Sequence, residues 1–215
     1  MLAIIAPGQG SQSPGMLSAW LKDSTLRDTC AAWSLEIGID LLTLGTSADA
    51  EEIKDTANAQ PLIVAAGLLS FKALGVTPSV VSGHSVGEIT AASLATIISE
   101  TDAMRIVTAR GFEMAKAAAI TPAGMSAVLG GEREAVVAAI TAAGLVAANE
   151  NGGGQIVAAG SLDALEKLAA NPPEGARVRA LAVAGAFHTS YMQPAIEPLR
   201  ALVAATHTHD PVAAI

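Results

Sequence analysis

Residues 76–98 read VTPSVVSGHSVGEITAASLATII, and this stretch carries the signal that decides the fold. Its first part, residues 76–82, is apolar and β-branched, which predicts a buried strand. Its last part, residues 88–98, has the apolar spacing of a helix. Between them, residues 83–87 match Gly-x-Ser-x-Gly, in which a serine occupies a tight turn from a strand to a helix. The stretch therefore predicts an α/β fold with a candidate nucleophile at Ser85.

The two glycines around Ser85 suit such a turn, because residues without a Cβ let two backbone segments pass closely. A serine there stands at the N-terminal end of a helix, where a developing negative charge is stabilised. The N–H of Val86 can then donate a hydrogen bond to an oxyanion. An ordinary glycine-flanked turn has the same letters, so both interpretations stay open, and the flanking patterns favour the nucleophile.

Strand and helix signals alternate around this turn, which predicts a parallel α/β sheet. Residues 2–6 have the pattern of a buried strand, and residues 60–74 that of a buried helix. From residue 124 the order becomes β-α-β-β-α-β, which is the order of a ferredoxin-like unit. We therefore expect a ferredoxin-like subdomain at 123–185, inserted into a domain of residues 1–122 and 186–215. The strands expected in the insertion are 125–129, 145–148, 155–159 and 177–184, and its helices are 132–143 and 162–170.

The composition excludes several classes of protein. The 215 residues include 12 Lys+Arg and 20 Asp+Glu, a net charge of −8, and 3% are aromatic, so general nucleic-acid binding is not expected. Mean hydropathy is +0.47, which raises the question of a membrane span. No apolar run approaches the ~18 residues of a membrane span, and residues 61–71 fit a core helix better. The single cysteine, Cys30, excludes an internal disulfide, and we expect a buried thiol in a reducing, cytoplasmic setting.

A serine nucleophile needs a base, and the chain has four histidines. His84 adjoins Ser85, and sequence neighbours usually point their side chains apart. His207 and His209 lie in a polar stretch, where solvent exposure or a weak metal site are the alternatives. His188 follows the last strand of the insertion. A loop histidine at a strand end suits a base, and a structural role fits equally well.

Two further features are a glycine-rich loop at residues 7–12 and Arg110. The loop follows the first strand, at the sheet edge where α/β proteins bind ligands, but it matches neither a dinucleotide-binding fingerprint nor a P-loop. A plain turn is the alternative.

Arg110 lies within a helix expected at residues 101–119. Its guanidinium either reaches solvent or is held inward for an anion, and the local sequence favours solvent.

Five motifs occur in a particular order along the chain. They are Gly-Gln-Gly-Ser-Gln at 8–12, Gly-His-Ser-x-Gly-Glu at 83–88, Arg-Gly at 110–111, Asn-x-Asn with Gln-Ile-Val-x-x-Gly at 149–160, and Gly-Ala-Phe-His-Thr at 185–189. Together they resemble the malonyl-CoA:acyl carrier protein transacylase family, the acyltransferases of fatty acid and polyketide synthesis. The resemblance implies an α/β-hydrolase-like catalytic domain with an inserted ferredoxin-like subdomain. Chains of that family run on beyond the position of Ile215, so the resemblance implies that these 215 residues would not include the C-terminal part of the family fold.

The resemblance also implies roles for residues of this chain. Ser85 would be the nucleophile and His188 its base, with the histidine oriented by backbone carbonyls rather than by a carboxylate. The N–H groups of Gln9 and Val86 would form the oxyanion hole. Arg110 would hold the malonyl carboxylate.

Three more residues would line the substrate pocket, namely His84, Phe187 and Asn149. In polyketide relatives a phenylalanine before the catalytic histidine accompanies malonyl selection, so Phe187 indicates malonyl rather than methylmalonyl. The partners implied are malonyl-CoA and an acidic acyl carrier protein, with no cofactor, metal, nucleic acid or membrane, and we expect a monomer.

Because the chain is net negative, an acidic carrier requires a local basic patch. Two alternative functions stay open. One is a serine hydrolase or thioesterase of the same fold, and the other is a non-catalytic module that binds the carrier protein.

Overall fold

Two short parallel strands form the sheet that leads to the glycine-rich turn. In the computed structural model, which describes residues 1–183 and 185–215, β1 (Ala3–Ala6) pairs with β2 (Val80–Gly83). The prediction that the second strand starts at residue 76 is wrong by four residues. Pro78 has no N–H for a sheet hydrogen bond, so regular pairing starts only after it.

The helices are α1 (Ser24–Ile37), α2 (Leu41–Thr46), α3 (Thr56–Leu74), α4 (Gly87–Leu94), α5 (Glu100–Ile120), α6 (Arg133–Ala142), α7 (Leu162–Ala170) and α8 (Ile196–Ala205), with short 3-10 turns at Trp20–Lys22, Glu52–Lys54 and Ser190–Ala195. Helix α3 begins four residues before the predicted start. The side chain of Asp55 accepts a hydrogen bond from the amide of Ala57 and caps the helix there. Pro61 therefore lies inside α3 rather than at its first turn.

The predicted helix at residues 88–98 is shorter than expected. Helix α4 ends at Leu94, and Thr96 has a left-handed backbone (φ 62°) that cannot continue a helix. The next helix, α5, begins one residue before the predicted start at 101, and the Ser99 hydroxyl oxygen caps it by accepting a 3.0 Å hydrogen bond from the amide of Asp102.

Helix α3 combines an apolar composition with a position in the core. Its 19 residues are long and apolar enough to cross a membrane, yet 56% of the stretch is buried inside the protein. Leu62, Val64, Ala65 and Leu69 are completely buried. This burial is the pattern of a soluble protein's core helix, in agreement with the prediction for residues 61–71.

Residue contacts divide the chain into two compact units. The first comprises Met1–Phe112 and Glu197–Ile215, and the second comprises Glu113–Ile196. The second unit is wider than the predicted subdomain at 123–185, because residues on both flanks belong to its hydrophobic core. Those residues are Met114, Ala117, Ala186, Phe187, Met192 and Ala195.

The second unit is built on a four-stranded antiparallel sheet. Its strands are β3 (Ala123–Gly130), β4 (Val146–Gly152), β5 (Gln155–Ser161) and β6 (Ala176–Ala180), in the order β4-β5-β3-β6. With α6 and α7, the chain order is βαββαβ and the pairing is that of a ferredoxin-like unit. Two boundaries differ from the prediction. Strand β4 continues through residues 149–152, where a turn was expected, and β6 ends at Ala180. Ala184, the last residue of the predicted strand, lies outside the described residues.

The two faces of this sheet contact different partners. On one face, side chains of β3 and β5 pack against α6 and α7, and the buried members are Val128, Val136, Ile140, Ile156, Ala158, Leu165 and Leu168. The other face carries Met125, Val157 and Ala159. These three side chains belong to a separate cluster with Met114 and Phe187.

Cys30 provides a test of the first unit's core. Its side chain is fully buried, and burial raises the pKa of the thiol to about 11, with a further contribution from the negative charge of Asp40. We expect an aromatic disulfide reagent at pH 8 to modify the folded protein about two orders of magnitude more slowly than the protein in denaturant, since only the thiolate reacts. Equal rates in the two states would contradict the buried position.

Candidate active site

Ser85 lies on a strained turn between β2 and α4. Its backbone is left-handed, with φ at 54°, a conformation that is uncommon outside glycine. The amide of Glu88 donates a 3.0 Å hydrogen bond to the carbonyl of Ser85, so the helical turn starts at the serine itself. The predicted geometry of a serine at a strand-to-helix elbow is present.

Both flanking glycines are required by close backbone contacts. A Cβ on Gly83 would overlap the backbone of Gly87 and Glu88. A Cβ on Gly87 would overlap the carbonyl groups of Ala6 and Pro7 at the end of β1. The glycines therefore let the turn fold tightly and lie against the first strand, which holds the serine at the carboxyl edge of the sheet.

The glycine-rich loop after β1 is held against this turn. The amide of His84 donates a 3.0 Å hydrogen bond to the carbonyl of Ala6. A Cβ on Gly8 would lie only 2.9 Å from the carbonyl oxygen of His84, so the two segments are in contact. The Gln9 side chain donates a 3.2 Å hydrogen bond from Nε2 to the Thr56 hydroxyl at the start of α3. Gln9 is thus anchored beside the turn that contains Ser85.

Arg110 points inward, toward the serine. One of its terminal nitrogens donates a 3.3 Å hydrogen bond to the Oγ of Ser85, and the other donates a 2.6 Å bond to the Oε1 of Gln60. Burial lowers the pKa of the Arg110 guanidinium, and the negative charge of Glu88 partly offsets this effect. The solvent-facing alternative that the local sequence favoured is therefore wrong.

Gln60 is a site residue that sequence reasoning missed. Its side chain is completely buried, and its carbonyl oxygen accepts the shorter of the two Arg110 bonds. Thr56, one turn earlier on α3, is buried as well and holds Gln9. Gly111 lets α5 approach this part of α3, since a Cβ there would lie 2.8 Å from the carbonyl oxygen of Thr56. The available signal was a polar residue at the start of an otherwise apolar helix.

The second unit contains the other predicted site residues. His188 has a left-handed backbone (φ 59°), and the preceding Phe187 is buried in the core of this unit. The Thr189 hydroxyl donates a 2.6 Å hydrogen bond to the carbonyl of Ala186 and stabilises the turn around them. Asn149 lies on β4 opposite Val157, not in the turn that was expected.

The remaining two histidines form their own pair in the first unit. The rings of His207 and His209 meet edge-on with centroids 4.6 Å apart, and both side chains are largely accessible to solvent. Across residues 1–183 and 185–215, no group of three or more potential metal ligands is found.

Known proteins match this chain along nearly its whole length. The family model described as "Acyl transferase domain" matches residues 4–214. The chain belongs to the acyl transferase family. Relatives named malonyl CoA-acyl carrier protein transacylase include one from Mycobacterium tuberculosis (H37Rv), 53% identical over 100% of this chain and 73% of the relative. The relative of that name from Escherichia coli K12 is 33% identical over 92% of this chain and 67% of its own length. The resemblance drawn from the five motifs is confirmed.

Solved structures of acyl transferases confirm the fold class. A crystal structure of MCAT from Mycobacterium tuberculosis matches with a TM-score of 0.96 at 54% identity, covering 99% of this chain and 72% of that chain. A complex described as a type II PKS acyl-carrier protein with its malonyl-transacylase matches with a TM-score of 0.89 at 29% identity, covering 99% of this chain and 72% of that chain. The parallel sheet and the separate antiparallel sheet are thus features of this acyl transferase family.

Gln60 offers a direct test of the buried contact in this acyl transferase. The substitution Gln60→Leu leaves a desolvated guanidinium without its best acceptor, so we expect it to lower the free energy of unfolding by about 1–3 kcal/mol. Urea titration measures this change. The matched control is Gln193→Leu at an exposed position, which should change stability by less than about 0.5 kcal/mol. Equal effects at the two positions would show that the Arg110 contact does not stabilise the fold.

Proposed function

We propose that this chain transfers a malonyl group from malonyl-CoA to the phosphopantetheine thiol of acyl carrier protein, through a malonyl ester on Ser85. The observation that carries the proposal is the inward-facing Arg110, which places a positive charge 3.3 Å from the hydroxyl of Ser85 on a strained turn. Relatives that share 53% identity over the full chain are named for this activity. A complex of a related malonyl-transacylase with an acyl-carrier protein supports the carrier as the second substrate.

The reaction has two half-steps that use the same serine. In the first, the Oγ of Ser85 attacks the thioester carbonyl of malonyl-CoA while His188 accepts the hydroxyl proton. A C–O bond forms, the C–S bond breaks, and CoA leaves as a thiol with that proton. In the second, the phosphopantetheine thiol of the carrier attacks the ester and Ser85 regains its proton. All atoms come from the serine and the two substrates, so the proposed reaction needs no cofactor and no metal.

The backbone N–H groups of Gln9 and Val86 form the oxyanion hole in this proposal. Val86 follows the serine and lies at the N-terminal end of α4, where amide dipoles favour negative charge. Gln9 is anchored through Thr56 in the loop that contacts the same turn. The two amides therefore belong to segments whose positions are set before substrate binds.

Arg110 selects the acyl group in this proposal. A guanidinium that is partly removed from water gains from a carboxylate partner, whereas an acetyl group leaves the charge without one. Gln60 holds one terminal nitrogen and Ser85 the other, so the guanidinium stays oriented. A simple serine hydrolase has no need of this cation beside its nucleophile, and the hydrolase alternative is therefore not favoured.

The finer parts of the proposal concern the pocket and the setting. Phe187 precedes His188 and excludes a branched acyl group, which restricts the substrate to malonyl. By the resemblance to the family, His84 and Asn149 would also contact the substrate. We further propose that the protein works as a monomer in the cytoplasm.

Mass spectrometry after mixing with malonyl-CoA tests the covalent step. The unmodified chain should gain one malonyl group, and Ser85→Ala should gain none, because it lacks the attacking oxygen. Ser82→Ala, an exposed serine at the end of β2, is the matched control and should load like the unmodified chain. A folded chain that gains no malonyl group would overturn the proposed function.

The selectivity step is tested by comparing two acyl donors. Arg110→Ala should lower transfer from malonyl-CoA by about 100-fold more than transfer from acetyl-CoA, because only the malonyl carboxylate loses its charged partner. Arg105→Ala on the same helix is the control, since its exposed side chain pairs with Glu36. Equal losses for both donors would contradict the role of Arg110.

A further inference from the structure

Half of the basic side chains of this protein form ion pairs with acidic neighbours in the described structure. Of the 12 Lys+Arg residues, six take part in ion pairs, namely Lys54, Lys72, Arg105, Lys116, Arg133 and Arg200. Arg110 is held by Gln60 and Ser85. A chain with a net charge of −8 therefore has few places that attract an acidic protein.

Arg177 and Arg179 differ from these residues. They lie two positions apart on β6, both are exposed, and in the part of the chain that the structure describes neither forms an ion pair with a carboxylate. Side chains two apart on a strand point to the same face, at a backbone separation of about 7 Å. The two guanidinium groups therefore present two unneutralised positive charges on one surface.

The pairing of β6 identifies which face of the sheet they occupy. Arg179 lies opposite Ala127 and Arg177 opposite Leu129 on β3, and directly paired residues share a face. On β3 this is the face of Met125, whose side chain belongs to the same cluster as Phe187. The arginines thus share a face with the core that supports the residue before His188. Helices α6 and α7 cover the other face.

We propose that Arg177 and Arg179 form the docking contact for the acidic acyl carrier protein. This inference rests on the proposed function, because it names the surface through which the second substrate is recognised. Among the described strands, β6 lies at an edge of the sheet, and both arginine side chains are exposed. Two guanidinium groups on one face can pair with the carboxylates of an acidic protein surface.

Two acidic side chains of this unit are already paired with basic ones. Glu150 is engaged by Arg133 through two 2.7 Å hydrogen bonds, and its strand partner Ile156 belongs to the helix-covered face. Glu113 on α5 is paired with Lys116. Glu174 precedes β6 in an exposed turn and is the acidic residue nearest to the patch in sequence.

Kinetics with the carrier protein test the docking surface. In R177Q/R179Q the KM for a phosphopantetheinylated acyl carrier protein should rise about tenfold, while kcat and the KM for malonyl-CoA stay within about twofold, since surface charges act on encounter rather than on chemistry. The control K167E, on an exposed position of α7, changes the net charge by the same two units and should have little effect. The advantage of the unmodified protein over R177Q/R179Q should also shrink as salt is raised.

A binding measurement keeps the two proposals separate. Anisotropy of a fluorescently labelled carrier reports its Kd without any acyl transfer, and we expect about a tenfold weaker Kd for R177Q/R179Q. Failure of malonyl loading in the unmodified chain would overturn the proposed function, while the anisotropy still decides the docking surface. Equal Kd values for R177Q/R179Q and K167E would overturn the docking proposal. A rise in the KM for malonyl-CoA alone would also overturn it, because the arginines would then serve the CoA phosphates.

Discussion

The arrangement of the site depends on the hydrogen bonds of the half-buried Arg110 guanidinium. A charge removed from water is tolerated only where hydrogen-bond acceptors replace the lost solvent, and Gln60 and Ser85 supply them. To bring the three residues together, α3 has to present its first turns to α5, and α5 has to approach without a side chain at Gly111. The same first turns of α3 hold the Gln9 loop through Thr56. One packing arrangement thus positions Ser85, the Arg110 cation and the Gln9 loop.

The arrangement of the site also depends on the strained turn around Ser85. A left-handed serine is stable only because the glycines on both sides permit contacts that any Cβ would prevent, so the surrounding backbone determines the conformation. In the proposed reaction, a serine whose backbone is fixed in this way reduces the cost of reaching the transition state.

Sequence reasoning succeeded where the signal was local. The elbow at Ser85 depends on spacing within five residues, and the βαββαβ order depends on successive short patterns, so both could be predicted. Contacts between residues that lie far apart in the sequence could not be predicted. The Gln60–Arg110 hydrogen bond joins residues 50 positions apart, and the local sequence around Arg110 even favoured solvent. Likewise, Asn149 was expected in a turn because glycine and asparagine follow it, but pairing with β5 extends β4 through that stretch. The second unit is wider than predicted because Met114 and Met192 belong to its core.

A crystal structure of the malonyl-loaded protein is the sharpest test of the role of Arg110, because it shows where the substrate carboxylate binds. We expect an ester on the Oγ of Ser85 with both carboxylate oxygens on the Arg110 guanidinium, at about 2.7–2.9 Å, and an intact hydrogen bond from Arg110 to Gln60. An ester whose carboxylate points into solvent, or an Arg110 side chain that has left Gln60, would contradict it.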